Sequence, residues 1–205
     1  PLRLVGSEMC IRDSDRADSV GTEMVYNTLT TPSQCDFTFT LADGTKVWMN
    51  AKSSLRYPVA FQGRERVVYA EGEIYLEVAR DEKHPFFVML NGMKVEVLGT
   101  SFNVSVYNDE NIVETALMEG KVKLTMQGCP SKPVYLTPSQ KFIYSRSDRQ
   151  GTISIMEGDT ELAWKQGILA FSAEPLEEVF RKIERWYGVC LLYTSPSPRD
   201  VEESR

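Results

Sequence analysis

The chain has 205 residues, 42% hydrophobic and 10% aromatic, enough for one domain, or a domain and a fragment, around a real core. Its 29 acidic residues outnumber 23 basic ones, and a net charge of −6 with no basic stripe excludes nucleic acid as a partner. The longest apolar run, Pro85–Leu90, is far too short to cross a bilayer, and no signal peptide opens the chain.

The two ends read differently from the middle. Back-translated with suitable codons, Cys190–Asp200 gives an oligonucleotide whose reverse complement, shifted by two bases, encodes Leu4–Asp13. On the same opposite strand Val201-Glu-Glu203 supplies codons for Pro1, Leu2 and Arg3. One transposon-type sequencing adapter, read on both strands, accounts for both tails. Residues 1–14 and 190–205 are therefore expected to be non-native, in a fragment of metagenomic origin whose gene continues on either side. Cys10 and Cys190 leave the cysteine count, so Cys35 and Cys129 remain.

Residues 15–36 are polar with few periodic apolar positions and read as a lead-in segment. From Phe37 to about Ile155 the chain reads as ten to twelve short strands. Ile74, Leu76 and Val78 alternate with Tyr75 and Glu77, Met93, Val95 and Val97 with Lys94 and Glu96, and Phe102, Val104 and Val106 repeat the pattern. Each such strand has one face for a core and one for water. Turn signals stand at Asp43-Gly44, Tyr57-Pro58, Gln62-Gly63, 81–84, Asn91-Gly92, 108–111, 128–130 and Pro138-Ser139. Asp43-Gly44 is expected to form a two-residue hairpin turn, since a type I′ turn needs positive φ at both central residues. The spacing gives an all-β domain over residues 37–158, a sandwich- or solenoid-like stack of short antiparallel strands. Glu71-Gly-Glu-Ile-Tyr-Leu76 and Glu119-Gly-Lys-Val-Lys-Leu124 lie 48 residues apart, as two similar turn-and-strand layers.

Residues 159–189 form a linker and the start of something else. Asp159–Gly167 is a polar join carrying Trp164, Gly167–Phe171 reads as a strand, and the period then changes to 3.6 for a helix over Pro175–Tyr187. Pro175 suits the first helical position, Gly188 a terminating one. Glu177–Arg181 and Glu178–Lys182 are i,i+4 pairs. Leu176, Val179, Phe180, Ile183, Trp186 and Tyr187 make an apolar stripe that a lone strand cannot bury. The segment is expected to be a truncated α+β domain of one strand and one helix, the helix lying against the β domain or partly exposed.

Candidate chemistry is sparse. His84, the one histidine, sits in a turn between Lys83 and Pro85 with no nucleophile or second ligand nearby in sequence. Asp81-Glu82 and Asp109-Glu110 fall in predicted turns, where acidic residues favour solvent. Gly44-Thr45-Lys46 and Gly120-Lys121 lack the rest of a phosphate loop. Asn103-Val-Ser105 is a formal glycosylation sequon inside a strand. Cys35 and Cys129 either pair, as an oxidising compartment allows, or stay free thiols. Trp48, Tyr57, Phe61, Tyr69 and Tyr75 fit either a sugar-binding platform or ordinary cross-strand packing. No catalytic, cofactor-binding or metal-ligating residue is assigned, and no cofactor is expected; the partner-binding residues are unknown.

Three blocks in order, Leu41-Ala-Asp-Gly-Thr-Lys-Val-Trp-Met-Asn50, Glu71-Gly-Glu-Ile-Tyr-Leu-Glu-Val78 and Val95-Glu-Val-Leu-Gly-Thr-Ser-Phe-Asn-Val104, resemble the FecR family of periplasmic sensors and anti-sigma regulators. The resemblance covers roughly residues 27–144, and Asn27-Thr-Leu-Thr-Thr-Pro32 is similar to the approach to that domain in the family's glycan-uptake branch. The pattern Trp164-x-x-Gly167…Phe171…Pro175-Leu-Glu-Glu-Val179…Trp186-Tyr-Gly188 resembles the domain that follows, itself similar to the short N-terminal module of secretins and TonB-dependent receptors. The resemblance implies the periplasmic part of a single-pass inner-membrane protein, not an enzyme. Its partners would be the signalling domain of a TonB-dependent outer-membrane transporter and, through a missing N-terminal region, an extracytoplasmic-function sigma factor, with membrane contact only through a missing transmembrane helix. The alternative is a periplasmic all-β module binding a glycan or siderophore, which requires a concave pocket of several hundred Å³ lined with aromatics.

Overall fold

A computed structural model describes residues 24–126, 132–156, 158, 160–172 and 174–191. The readings placed on residues 1–14 and 192–205, on Cys129 and on the 128–130 turn lie outside them.

Among the described residues thirteen strands make one continuous, nearly closed sheet. They are β1 (Tyr26–Thr30), β2 (Phe37–Thr40), β3 (Lys46–Met49), β4 (Ser54–Pro58), β5 (Arg66–Glu77), β6 (Phe86–Leu90), β7 (Met93–Val97), β8 (Ser101–Val106), β9 (Ile112–Glu119), β10 (Val122–Met126), β11 (Val134–Leu136), β12 (Gln140–Ser145) and β13 (Gln150–Ile155). The strand on which the others hang is β5, twelve residues long. Its first half pairs with β4 and β6, its second half with β3 and β8. Sheet I therefore runs β1-β4-β5-β6-β7-β10-β11 and sheet II runs β2-β3-β5-β8-β9-β12-β13.

Alternation decides what each strand buries. Leu55, Val68, Phe86, Val88, Val95 and Leu124 of sheet I and Val47, Ile74, Leu76, Phe102, Val104 and Leu117 of sheet II turn inward into a single apolar cluster. Each contributes roughly 1.5–3 kcal/mol by leaving water. The corner of the fold lies at Gly72, where β5 passes from one sheet to the other. Its φ is +86°, and a Cβ there would lie 2.5 Å from Ser53 Oγ and 2.6 Å from Ser53 Cα, so a side chain is excluded. Gly120, the equivalent glycine of the internal repeat, stands between β9 and β10 at φ +94°, where the chain passes back from sheet II to sheet I. The repeat therefore marks two corners.

Several expectations are corrected. The lead-in over residues 15–36 contributes β1, which pairs with β4 from Tyr26↔Pro58 to Thr30↔Ser54. Asp43-Gly44 does not form a two-residue type I′ turn: the hairpin closes between Leu41 and Thr45, leaving a three-residue loop in which Gly44 alone has positive φ, at +87°. The reason is Asp43, whose carboxylate accepts from the Thr45 amide and hydroxyl and from Arg66. Asn91-Gly92 does make a two-residue connection, Leu90 pairing with Met93. The strands are not all antiparallel, because β5 and β6 run parallel. Having ended in sheet II, β5 must be followed by a crossover back to sheet I, and Arg66 pins that crossover by donating to the His84 and Ala79 carbonyls.

The C-terminal segment is a 3₁₀ helix, Thr160–Gln166, with Trp164 buried, and an α-helix, α1, Leu176–Tyr187. Gly167–Phe171 is not a strand: no neighbouring strand runs beside it among the described residues, and an unpaired strand has nothing to hydrogen-bond. Pro175 precedes α1 at its N-cap, and Gly188 ends it at φ 63° as expected. Glu177–Arg181 forms, whereas Lys182 turns from Glu178 to Glu174, 2.5 Å away.

Candidate functional site

Sheet II turns a polar outer face away from the core, set by the odd positions of β5 and their neighbours: Glu73 and Tyr75 on β5, Asn103 and Ser105 on β8, Glu114 on β9, Lys141 and Ile143 on β12. Alternation predicts water over this face, but the C-terminal segment lies there instead. Between the two is a crevice of about 340 Å³, walled on one side by Glu73, Asn103, Glu114 and Lys141 and on the other by Glu161, Trp164, Glu178, Lys182, Arg185 and Trp186.

Charges dominate it. Asn50 Nδ2 and Asn103 Nδ2 donate to Glu73 at 2.7 and 3.1 Å. Burial pushes the Glu73 carboxyl above the ordinary glutamate value, the two amides and the fields of Lys182 and Arg185 opposing that rise. Glu114 is likewise raised by burial, against the pull of Lys141, with Glu161 adding to the rise. Lys141 Nζ stands 2.8 Å from Glu161 and 3.5 Å from Glu114; although burial opposes its charge, the two carboxylates hold its pKa above the usual lysine value. Glu178 is raised by burial, with Glu110 and Glu174 adding to it.

At the far rim, Arg185 pairs with Glu110 and lies 3.8 Å over the Tyr107 ring. Tyr107 donates its hydroxyl to the Ala51 carbonyl at 2.9 Å, and burial raises its pKa. Arg181 donates to the Asp109 carbonyl at 2.6 Å. Below the 3₁₀ helix, Lys165 Nζ sits 4.0 Å from the centre of the Trp48 ring and 3.4 Å from that of Tyr75, and burial lowers its pKa.

As expected, α1 lies against the β domain and stays partly exposed. It meets the crevice with Glu178, Lys182, Arg185 and Trp186, and Arg185 is its buried residue. Of the apolar stripe Val179, Phe180, Ile183 and Trp186 are half-buried, whereas Leu176 and Tyr187 are 64% and 58% exposed.

The sequence candidates fall elsewhere. His84 bonds Asp81 at 2.7 Å in the crossover loop and does not line the crevice; that contact, chiefly, holds the Asp81 carboxyl below its usual value. The solvated-turn reading of Asp109-Glu110 is corrected, because the Glu110 side chain is only 9% exposed and holds Arg185. Nothing local in sequence marks that pairing, which spans 75 positions. Gly44-Thr45-Lys46 belongs to the first hairpin and Gly120-Lys121 to a corner. Cys35 is an exposed free thiol. Trp48 and Tyr75 pack edge to face under Lys165, Tyr57 against Phe39 and Phe61 against Phe86, and none of the four lines the crevice. Tyr69 lines a separate shallow groove with Arg56. Among the described residues no group of His, Cys, Asp and Glu is placed to hold a metal ion, and no helix is long and apolar enough to cross a membrane.

The model of the FecR protein family matches residues 27–123, from β1 into β10. Two crystal structures of a "putative anti-sigma factor" from Parabacteroides distasonis are similar to this chain. One has a TM-score of 0.76 at 32% identity, covering 80% of this chain and 76% of that one. The other has a TM-score of 0.75 at 32% identity, covering 78% and 74%. No curated protein matches. The likeness takes in far more of the chain than the three sequence blocks do, and this chain belongs to the FecR family.

Proposed function

We propose that this chain is the periplasmic, signal-sensing part of a FecR-type regulator. It relays the loading state of a TonB-dependent outer-membrane transporter across the inner membrane to an extracytoplasmic-function sigma factor. Membership of a family of sensors and anti-sigma regulators supports a regulatory role rather than a catalytic one. On this reading the β domain expected over residues 37–158 also takes in β1, and residues 159–189 begin the domain that meets the transporter.

The observation that carries the reading is the likeness of this fold to that of a "putative anti-sigma factor". On the C-terminal segment Phe171, Leu176, Tyr187 and Val189 are exposed, where the rest of the domain it begins, or a partner, would sit. Large exposed apolar residues gathered on one short segment mark an interaction surface, and an amphipathic helix offers its stripe to a groove or sheet of a partner. The partner proposed is the transporter's signalling domain. Its binding to this protein, followed by surface plasmon resonance, should weaken at least ~10-fold with Leu176→Asp and with Tyr187→Asp. Both substitutions fall at exposed sites and should leave the melting transition within roughly 0.5 kcal/mol of the parent. Unchanged binding by both variants would refute the docking surface.

A second reading, a small-molecule binding module, is favoured by the crevice itself, which has Trp164 and Trp186 in its walls and a volume in the range such sites need. Most of its charged side chains already pair with another protein group, although Glu161 Oε2, Glu174 Oε2 and Arg185 Nη1 keep an open hydrogen-bonding position. Calorimetric titration with a panel of monosaccharides and siderophores distinguishes it: saturable heat supports this reading and its absence removes it.

A further inference from the structure

We propose that residues 160–172 and 174–189 form an ionic latch on the outer face of sheet II, one that opens as a unit while the β body stays folded. The inference goes beyond the relay proposed above, and its test does not depend on that relay.

Ion pairs and hydrogen bonds tie the segment across this joint, around a crevice whose walls also carry Ile143, Trp164, Leu169 and Trp186. Arg185 reaches Glu110, Arg181 the Asp109 carbonyl, Lys141 meets Glu161, and the Arg185 carbonyl accepts from the Gln34 amide at 3.2 Å. Lys165 lies over Trp48 and Tyr75. Among the described residues of the segment Trp164 is the fully buried apolar one; of the α1 stripe Val179, Phe180, Ile183 and Trp186 are half-buried, and Leu176 and Tyr187 are exposed. Buried ion pairs recover little beyond the hydration they lose, so such a joint adds specificity of position more than strength. Imperfect satisfaction weakens it further: Glu161 Oε2, Glu174 Oε2, Arg185 Nη1 and Trp164 Nε1 are buried without a hydrogen-bond partner among the described residues. The β body, by contrast, has its own closed apolar core, none of whose clustered residues comes from the segment. A structure with a strong core and a weakly attached polar layer opens at the layer first.

Protonation acts on the same joint. Glu73 faces Asn50, Asn103, Lys182, Arg185 and Tyr107; Glu114 faces Lys141, Glu161 and Lys182; Glu178 faces Glu110, Glu174, Arg181 and Lys182. All three carboxyls are raised by burial, so the closed state binds protons more tightly than an open one. Its stabilisation is full below the ordinary glutamate value and is lost as pH rises through the raised values. The latch therefore loosens as pH rises above the ordinary glutamate range.

Amide hydrogen exchange on the whole protein tests this. The α1 amides should share a protection at least ~10-fold below that of the β5 and β8 amides. About 1 M sodium chloride, which screens the solvent-facing Arg185–Asp109 pair more than the buried Arg185–Glu110 pair, should lower it further while β5 and β8 keep theirs. Glu110→Gln should do the same at low salt, and the reciprocal pair Glu110→Lys with Arg185→Glu should restore protection. If α1 and the β body lose protection together, or if salt leaves α1 unchanged, the latch is refuted. The same holds if α1 shows no protection at low salt. Should Glu110→Gln fail to fold, the salt comparison on the parent protein decides alone.

Discussion

Replacing Gly72 by alanine isolates the cost of the corner between the sheets. Two terms add. A positive φ of +86° penalises an L side chain by roughly 1–2 kcal/mol. The new Cβ would also lie 2.5–2.8 Å from three atoms of Ser53, one of them backbone, and Ser53 is fully buried beside β5. Forcing a methyl group into such a packed site costs roughly 1–3 kcal/mol more. Gly72→Ala should therefore destabilise by roughly 2–5 kcal/mol, which in a chain of this size lowers Tm by about 4–20 °C. Gly92→Ala is the matched control: its φ of +85° is nearly the same, but nothing lies within 4 Å of its Cβ. It should carry the backbone term alone. Urea unfolding followed by circular dichroism gives both values, and the gain in unfolded-state entropy on losing glycine cancels between them. Equal destabilisation by the two substitutions, within roughly 0.5 kcal/mol, would show that the close approach to Ser53 has no energetic weight.

Three further outcomes are expected. Asp43→Ala strands the Arg66 guanidinium, whose side chain is 5% exposed, and should cost roughly 3–5 kcal/mol in the same urea assay, against a smaller loss for Asp43→Asn. Glu73→Gln removes a carboxyl raised by burial, so the parent should lose stability relative to the variant as pH climbs above the ordinary glutamate range; parallel pH profiles would contradict this. Cys35, being exposed, should be alkylated by maleimide in the native protein, as read by peptide mass mapping, and resistance would point to a disulfide.

Much of the β body was legible because its code is local. Period-two alternation in Ile74–Val78, Met93–Val97 and Phe102–Val106 states which side chains turn inward, and those residues are core. The recurrence of a glycine at Gly72 and Gly120 pointed to two like turns before any strand was paired. What could not be read is long-range. β1, Tyr26-Asn-Thr-Leu-Thr30, is an edge strand with exposed polar positions and earns its place only through β4. The parallel pairing of β5 with β6 follows from β5 changing sheets, which no window of residues reveals. The crevice was missed because its parts look like solvated charges one by one. Glu110, in a turn, and Arg185, on a helix, become buried only through each other. Amphipathicity, finally, states which side of α1 is apolar, not which residues meet the body; facing a charged surface, Arg185 and Lys182 line the crevice together with Trp186 of the apolar stripe.

The bond from the Gln34 amide to the Arg185 carbonyl has a mechanical consequence. Gln34 lies just past β1, on the chain's way into the fold, and Arg185 lies near the end of α1. The loop after β1 and the last turn of α1 thus touch. A displacement of the helix would be felt first at that loop, without having to travel across either sheet.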